Sequence, residues 1–329
     1  MKDVAAAAGV SHGTVSHVLN HPERVSPARL QRVREAMEQL GFVRNESARQ
    51  LRAGRSTTLG LLLIDSWSPF FNQMTEGFEE AVIPLGWNVI VAHSALNSER
   101  EARNLDSFEE RRHAGNLIMP LNLASLARLE RMRERGTGCV LVDQDAWGHP
   151  IPSVAVNDRG GGRSVGRHLN AIGRHRILFV GNPAMLSHSA QRLQGLRDGV
   201  SADSSISVFE VRKLELEYGL IAGEHILAMA PAQRPEAVFC ANDLLGLGVM
   251  QRLNTGGVAV PTQIAVVGYD DIGFAAHTST PLTSVRQPAY AIGQQAGKML
   301  AADIDSDQSG PIEHVVFEPE LIIRSSTVP

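Results

Sequence analysis

Hydrophobic residues in the first forty positions recur at helical spacing in three short segments. Asp3, Ser11 and Ser26 precede these segments and are residues typical of helix N-caps, while Gly9 and Gly41 follow the first and third segments and are typical helix ends. Two short helices joined by a turn that contains glycine, followed by a third, predict a helix-turn-helix module. We expect its core to contain Val4, Ala8, Val10, Val15, Val18, Leu30, Val33, Met37 and Leu40.

The pattern changes from Leu59 onward to short apolar runs separated by amphipathic stretches, such as Phe71–Leu85 and Glu99–Arg111. Apolar strands that alternate with helices predict parallel sheets covered on both faces, an α/β fold. This part of the chain is longer than one typical domain, so we expect two lobes. The predicted strands are Leu59–Asp65, Asn88–His93, Asn116–Met119, Cys139–Asp143, Val154–Asn157, Ile177–Gly181, Val208–Val211, Ala237–Ala241 and Ile264–Tyr269.

The composition indicates a soluble globular protein. Of 329 residues, 43% are hydrophobic and 20% are charged, which excludes a disordered or collagen-like chain. The two cysteines, Cys139 and Cys240, lie inside apolar runs and cannot form a disulfide framework or a cysteine-rich metal site. No apolar stretch reaches the ~18 residues of a membrane span, and no leader segment is evident, so we expect a cytoplasmic protein.

Charge is distributed unevenly along the chain. Residues 1–58 contain nine basic and five acidic side chains, whereas the net charge of the whole chain is −4. A basic head on an acidic body is typical of a module that binds the phosphate backbone of nucleic acid. A local fluctuation of surface charge is the alternative.

The first 58 residues contain an ordered set of short motifs: Lys2-Asp3-Val4-Ala5, Ala8-Gly9-Val10-Ser11, Thr14-Val15-Ser16, Val18-Leu19-Asn20, Val25-Ser26, Gly41-Phe42, Asn45, Ala48-Arg49, Leu51-Arg52, Gly54-Arg55 and Thr57. These motifs resemble the N-terminal signature of the lac repressor/galactose repressor family. That resemblance implies a DNA-binding helix-turn-helix over residues 1–44 and a hinge over residues 45–58.

The second helix of such a module enters the major groove of DNA with its N-terminal side chains toward base edges. We expect Ser11 and Thr14 to bind phosphates, while His12, Gly13 and His17 hold positions that vary with operator sequence in the family. His17 stands where arginine is usual, and it cannot form the bidentate bond of arginine to guanine. The alternative is that both histidines are ordinary surface residues. The predicted DNA-binding residues are Ser11, His12, Gly13, Thr14, Ser16, His17, Asn20 and Leu51.

Leu51 is the conspicuous apolar residue of the polar segment 45–58. By resemblance, this segment is a hinge helix that pairs with its partner-chain copy on DNA and inserts its leucine into the minor groove, which kinks the duplex. A plain linker with Leu51 packed on the body is the alternative. Arg44, at a position where proline is frequent, and Glu46, which would lie near phosphates, depart from the family pattern.

The resemblance continues through the body and is nearly full length. It implies a two-lobed, periplasmic-binding-protein-like (type I) core over residues 59–329, with three crossings between lobes. We expect the N-lobe at about 59–157 and 288–318 and the C-lobe at about 158–287 and 319–329. The resemblance also implies final strands near Val315–Phe317 and Leu321–Ile323 that complete opposite lobes. The matching blocks are Leu59-Gly60-Leu61, Pro69-Phe70-Phe71, Asn157-Asp158-Arg159-Gly160-Gly161, Gly173-Arg174-His175-Arg176-Ile177, Arg192-Leu193, Ala241-Asn242-Asp243, Val267-Gly268-Tyr269-Asp270-Asp271 and the segment 281–288.

Polar side chains follow several predicted strands, where ligands bind in open α/β sheets. Asp65, Asp143, Asn242 and Asp270 occupy such positions, and acids and amides can bind the vicinal hydroxyls of a sugar. Asp243 and Asp271 are interpreted as helix caps or as residues that bridge the lobes. By resemblance, the effector-binding residues are Phe70, Phe71, Asp143, His188, Arg192, Leu214, Asn242 and Asp270, with Phe70 and Phe71 as an aromatic shelf and Leu214 in place of an aromatic residue of several family members.

These features predict a ligand-responsive transcriptional regulator, most simply a repressor, that binds a pseudo-palindromic operator as a homodimer. We expect a sugar or sugar derivative as effector, with a purine or nucleoside as the alternative within the family. No catalytic, cofactor or metal motif stands out, and an enzyme is the least supported class. A solute-binding protein would share the body but not the basic head. The C-terminal residues lack the heptads that tetramerise some relatives, so a dimer is expected.

Overall fold

The computed structural model describes residues 1–42, 56–121, 123–142, 150–306, 308 and 310–328. The chain divides into two compact units, Met1–Ser56 and Thr57–Pro329. We call the first unit the head and the second the core.

Three helices form the head: α1 (Lys2–Ala8), α2 (His12–Asn20) and α3 (Pro27–Gln39), with a 3₁₀ turn at Pro22–Arg24. Gly9 takes the left-handed conformation that ends α1, and the Ser11 hydroxyl caps α2 by accepting from the amide of Thr14 at 3.1 Å. Met1, not Asp3, holds the N-cap position of α1. The helix-turn-helix predicted from the sequence is therefore present.

The core of the head forms around Val4, Val15 and Val33, which are almost completely buried. Leu40 was expected on the same face but is 49% exposed, because α3 ends at Gln39 and the chain turns at Gly41. Ala36 is buried in the head core as well.

The first lobe of the core is built on a parallel sheet with the strand order β11-β5-β4-β3-β1-β2. Helices α4 (Pro69–Val82), α5 (Ser98–Glu110), α6 (Leu123–Glu134) and α11 (Ala289–Asp305) belong to this lobe. Its strands are β1 (Thr58–Leu63), β2 (Asn88–His93), β3 (Gly115–Ile118), β4 (Gly138–Val142), β5 (Ser153–Val156) and β11 (His314–Phe317).

The second lobe has the strand order β12-β10-β9-β8-β6-β7, in which β12 alone runs antiparallel to its neighbour among the described strands. Helices α7 (Asp158–Ala171), α8 (Ser187–Gly199), α9 (Leu216–Ala228) and α10 (Asp243–Thr255) belong to it. Its strands are β6 (Arg176–Gly181), β7 (Ser205–Glu210), β8 (Ala237–Cys240), β9 (Ala265–Asp270), β10 (Thr283–Arg286) and β12 (Glu320–Ile322).

The chain crosses between the two sheets three times: after β5, after β10 and after β11.

Strand β10 was not predicted, because its residues include Thr283 and Ser284 and do not form an apolar run. Both hydroxyl-bearing residues are nevertheless buried. Except for β12, the strands of each sheet are parallel, so the residues that follow them gather at one edge of each lobe.

Close packing of α4 against α11 fixes the start of α4 relative to the first sheet. A Cβ atom on Gly77 would lie 2.1 Å from the carbonyl oxygen of Tyr290, and one on Gly293 would lie 1.8 Å from that of Met74. Only glycine permits this approach.

Among the described residues, no helix has the length and apolar character needed to cross a membrane. The same part of the chain brings no group of three or more His, Cys, Asp or Glu side chains close enough to hold a metal ion.

Candidate functional site

A cleft of about 900 Å³ lies within the core and is lined by residues of both lobes. This volume includes open solvent at the mouth of the cleft. The lining residues follow β1, β2, β6, β7 and β8, lie at the end of β9, or follow β10. They are Ile64, Asp65, Ser66, Trp67, Ser68, Phe70, Phe71, His93, Ala95, Leu96, Arg100, Leu186, His188, Arg192, Lys213, Leu214, Glu215, Asn242, Asp270 and Gln287.

The structure brings together the described residues that the sequence analysis assigned to an effector site. Asp143 lies outside the described residues, so its position is not given. The other seven line the cleft: Phe70, Phe71, His188, Arg192, Leu214, Asn242 and Asp270.

Arg192, on α8, is almost completely buried and is held on three sides. Its Nε donates to Oδ1 of Asp158 at 2.7 Å, and its Nη1 donates to the carbonyl of Ala241 at 2.6 Å. The guanidinium carbon lies 3.6 Å from the ring centroid of Tyr269, a cation–π contact. Arg192 therefore enters the cleft already oriented, as a binding group requires.

Asp158 and Tyr269 hold Arg192 in place but were not assigned a role from the sequence. Asp158 lies in the first turn of α7, and its carboxylate is buried beneath the cleft. The only sequence signal was its place in the block Asn157-Asp158-Arg159, because its partner Arg192 is 34 positions away.

Asp270 ends β9 with a φ of 101°, which is rare for a residue other than glycine. Its Oδ1 accepts from Nε2 of Gln287 at 2.7 Å and lies 3.8 Å from Nη1 of Arg192. Burial raises the pKa of Asp270 to about 7, against the opposing effect of Arg192. A carboxyl group that titrates near neutrality can accept a hydrogen bond from a hydroxyl or donate one to it.

Gln287 was missed in the sequence as a member of the site. Its Oε1 is buried and has no hydrogen-bond partner among the described residues. A buried amide oxygen without a partner is costly and is satisfied by a donor on a ligand or a water.

Asn242 caps α10, and its side chain forms hydrogen bonds mainly with backbone groups. Its Oδ1 accepts from the amide of Leu245 at 3.0 Å, and its Nδ2 donates to the carbonyl of Leu214 at 2.9 Å. One amide hydrogen remains for a ligand. Asn242 thereby ties the cleft-lining segment around Leu214 to the start of α10.

His188 lies in the first turn of α8 and is buried. Burial, and secondly the neighbouring charge of Arg192, hold the pKa of His188 well below its usual value. The imidazole is therefore neutral at pH 7, with one nitrogen a donor and the other an acceptor.

The aromatic shelf expected at Phe70 and Phe71 has little open surface. The two rings meet edge to face at 5.3 Å, are only 4% and 8% exposed, and belong to the apolar core of the first lobe. Trp67, three residues before Phe70, is instead 74% exposed and lines the cleft. In the sequence, only the position of Trp67 shortly after β1 could have indicated that it lines the cleft.

Asp243 and Asp271 do not line the cleft. Asp243 accepts from the amide of Ile272 at 2.8 Å and from the Ser284 hydroxyl at 2.6 Å. Asp271 pairs with Arg286 at 2.8 Å and with Arg324 at 2.7 Å. All these contacts fall within the second lobe and Asn242 holds the cap of α10, so within the described part of the chain neither acid caps a helix or bridges the lobes.

In the head, the face of α2 opposite Val15 and Val18 is open to solvent. His12, Gly13 and His17 are exposed, as are Ser11 and Asn20, whereas Thr14 and Ser16 are half-buried. The hydroxyls of Ser11 and Thr14 are 2.9 Å apart, and Nδ2 of Asn20 donates to the carbonyl of Ser16 at 2.9 Å. Leu51 lies outside the described residues.

Two family models match the chain. One, described as bacterial regulatory proteins of the lacI family, matches residues 1–45, and the other, a periplasmic binding protein-like domain, matches residues 167–327. The chain is 31% identical to the HTH-type transcriptional repressor PurR of Aliivibrio fischeri over its full length and 98% of that protein.

Solved structures of regulatory proteins also resemble this chain. The lac repressor dimer bound to operator and the anti-inducer ONPF is 25% identical, with a TM-score of 0.82 over 99% of this chain and 98% of that one. A complex of the transcriptional regulator CelR with cellobiose is 28% identical, with a TM-score of 0.71 over the same shares.

Proposed function

This chain belongs to the lacI family of bacterial regulatory proteins, and on that premise we propose that it is a transcriptional repressor acting as a homodimer on a pseudo-palindromic operator. A small molecule bound in the cleft controls its affinity for the operator. A symmetric dimer presents two heads to two half-sites, which accounts for the symmetry of the operator. The repressor acts on DNA in the cytoplasm.

The head supports the DNA-binding part of this proposal. The exposed side chains of His12 and His17 stand on the face of α2 opposite its buried valines. That is the arrangement of a recognition helix, whose outward side chains meet base edges. An imidazole cannot form the bidentate bond of arginine to guanine. The operator preference therefore differs from that of relatives with arginine at the position of His17.

We propose a carbohydrate as the first candidate for the effector. The observation that carries this proposal is the buried cluster of Arg192, Asp270 and Gln287 at the cleft. It combines a fixed cationic donor, a carboxyl group and an amide oxygen without a partner, and neighbouring hydroxyls of a sugar need donors and acceptors in such proximity. The similarity to CelR, whose complex holds cellobiose, supports this candidate.

A purine base or nucleoside is the second candidate, because PurR proteins are among the full-length relatives at 30–32% identity. The edge of a purine also presents donors and acceptors to the same cluster. The two candidates predict different results in one screen.

An effector between the lobes stabilises one relative arrangement of the lobes and so couples to DNA affinity. Such coupling amounts to about 1–3 kcal/mol in typical allosteric proteins and is reciprocal. Operator DNA therefore changes the affinity for the effector by the same factor as the effector changes the affinity for operator.

The experiment that tests the proposal uses the full-length protein and fluorescently labelled duplexes. Genomic fragments that the protein retains at moderate salt are identified and their anisotropy is titrated, with a steep decrease of affinity expected as salt rises. The double variant His12→Ala/His17→Ala should lose sequence preference and keep weak nonspecific binding. Failure to select any fragment over competitor DNA would contradict the proposed function.

The effector is identified by thermal shift of the same protein against a panel of sugars and purines. Compounds that raise the melting temperature are then added to the operator complex. Asp270→Ala should lose the response while its ligand-free operator affinity stays close to that of the parent. Asp198→Ala, an exposed acid of the second lobe, is the matched control and should respond normally. A normal response of Asp270→Ala would remove Asp270 from the site.

A further inference from the structure

Three side chains of the first lobe line the cleft and, unlike the buried cluster around Arg192, are exposed or half-buried. They are Trp67, His93 and Arg100, and we call them the rim subsite. We propose that the rim subsite takes an anionic group, a carboxylate or a phosphate, that is attached to the ring of the effector. Trp67 packs on the ring and Arg100 binds the anion. This inference rests on the proposed function, which places the effector in this cleft.

Arg100 is a cation of the cleft that has no carboxylate partner among the residues with described positions. No acidic side chain of the described residues lies within ion-pair distance of its guanidinium, and only its backbone amide is engaged, by the side chain of Asn97. Burial lowers the pKa of His93; the charge of Asp65 opposes this shift, and the smaller effect of the Arg100 charge adds to it.

The other cations of the cleft are already compensated. Arg192 is bonded to Asp158 and lies near Asp270, and Lys213 is paired with Glu215 at 3.1 Å. A cleft concentrates the field of an uncompensated charge on its ligand, because water is partly excluded there. The guanidinium of Arg100 thus favours an effector that carries an anion.

Asp65 is an acid of the same cleft, and backbone amides hold its carboxylate in the turn that follows β1. Its Oδ1 accepts from the amides of Trp67 and Ser68, each at 3.0 Å. The same bonds fix the turn that presents Trp67 to the cleft.

Trp67 provides the aromatic surface that Phe70 and Phe71 lack. An indole that is 74% exposed leaves a large apolar face in water unless a partner covers it. Within the cleft, Leu214 offers only an aliphatic surface to a ring. An effector ring between Arg192 and Trp67 would cover the indole and direct its substituent toward Arg100.

The effector class implied is a ring that carries an acid: a uronate, a sugar phosphate or a purine nucleotide. A neutral monosaccharide and a free purine base leave Arg100 without a partner. Both would therefore bind more weakly than their acidic counterparts.

The test compares neutral and acidic probes of the same ring on the full-length protein. Glucose, glucuronate and glucose 6-phosphate form one series, and hypoxanthine, inosine and inosine monophosphate form the other. Binding is followed by the emission of Trp67 in the background Trp87→Phe/Trp147→Phe, which removes the other two tryptophans of the chain. Retention of operator binding by this background shows that it is folded.

We expect the acidic member of one series to bind at least about tenfold more tightly than the neutral member, because a charge-assisted hydrogen bond contributes more than a neutral one. Arg100→Gln should reduce this ratio to near one, whereas Arg100→Lys should retain part of it. Arg103→Gln is the matched control: it removes the same charge from the same helix at an exposed position that does not line the cleft.

Trp67 is tested by two substitutions in the otherwise unmodified chain, with binding followed by calorimetry. Trp67→Phe should keep affinity within about threefold, and Trp67→Ala should lose about tenfold, because stacking needs an aromatic face. An emission of Trp67 that stays unchanged while a probe binds by calorimetry would overturn its assigned role.

The proposal is wrong if no acidic probe binds more tightly than its neutral counterpart, if none of the probes binds, or if Arg103→Gln lowers the ratio as much as Arg100→Gln. These outcomes leave the proposed function intact as long as another small molecule changes operator binding. The comparison of glucuronate with glucose 6-phosphate shows whether the anion is a carboxylate or a phosphate.

Discussion

Nε of Arg192 donates a hydrogen bond to Oδ1 of Asp158 at 2.7 Å, and both side chains are more than nine-tenths buried. A pair that is desolvated to this degree requires both partners, because either charge alone would be uncompensated in an apolar environment. The pair joins the first turn of α7 to α8 and fixes the guanidinium at the cleft. Asp158 is thus a positioning residue for the candidate site.

The first prediction concerns Asp158→Asn. The variant retains the shape of the side chain but removes the charge that compensates Arg192, so we expect the free energy of unfolding to fall by about 3 kcal/mol. Urea denaturation followed by circular dichroism measures the change. Asp198→Asn is the control, since it removes an acid from an exposed ion pair with Arg159 and should change stability little. Equal losses in the two variants would contradict the assigned role of Asp158.

The second prediction concerns the pH dependence of stability. Burial raises the pKa of Asp270 to about 7, whereas in the unfolded chain it is 3.8. Between these values the folded protein holds a proton that the unfolded chain has released. Asp270 therefore contributes stability that is fully present below about pH 4 and is lost as the pH rises through about 7.

Asp270→Asn should remove this contribution. We expect the ligand-free variant to lose less stability than the parent between about pH 4 and pH 7, as measured by urea denaturation at several pH values. Asp198→Asn is again the control, because hydrogen bonds from Arg159 lower the pKa of Asp198 to about 2, below the interval. Parallel pH profiles for parent and Asp270→Asn would show that the Asp270 carboxyl does not titrate in this range.

The central strands of both sheets were largely predictable because they are buried and read as continuous apolar runs. The edge strand β2 is mostly exposed but also carries an apolar run. Strand β2 begins and ends at the predicted residues, Asn88 and His93. Strand β10 was missed because its buried polar residues obtain their partners from distant segments. Oγ1 of Thr283 lies 2.8 Å from that of Thr327, and the Ser284 hydroxyl donates to Asp243.

The candidate site was predictable where a side chain follows a strand or belongs to a family motif. The residues of the site that act through long-range contacts were not predictable. Asp158 was not assigned because nothing local shows that it meets Arg192. Phe70 and Phe71 are the opposite case: the family resemblance predicts an aromatic shelf and both residues line the cleft, but only packing shows that the lobe core takes up most of the surface of both rings.

The third prediction concerns Asp243, which supports the connection from β9 to β10. Burial, followed by the charge of Asp270, raises the pKa of Asp243 well above its usual value, which favours the neutral carboxyl group. Asp243→Ala leaves the amide of Ile272 and the hydroxyl of Ser284 without this partner and should cost about 2–4 kcal/mol in the free energy of unfolding.

Asp243→Asn is the informative companion variant. An amide resembles a protonated carboxyl group: its oxygen can accept from the amide of Ile272 and its nitrogen can donate to the hydroxyl of Ser284. We expect Asp243→Asn to lose less than half of what Asp243→Ala loses in the same denaturation experiment. Equal losses would show that the ionised carboxylate is the form that the fold requires.

The fourth prediction concerns Leu51, which remains a prediction from the sequence because it lies outside the described residues. If its side chain inserts between base steps, it contributes only where the DNA is bent to receive it. Leu51→Ala should therefore weaken binding to the operator by about tenfold or more and binding to a scrambled duplex of the same length far less.

Fluorescence anisotropy on the two duplexes, at the same salt concentration, measures this difference. Leu40→Ala provides the matched control, since Leu40 is a 49% exposed leucine at the end of α3 and its removal should affect both duplexes alike. Phosphate contacts contribute to both complexes, whereas an inserted leucine contributes only to the operator complex. The ratio of the affinity losses on the two duplexes therefore distinguishes insertion from phosphate contact. A Leu51→Ala variant that loses equally on both duplexes would assign Leu51 to the plain linker instead.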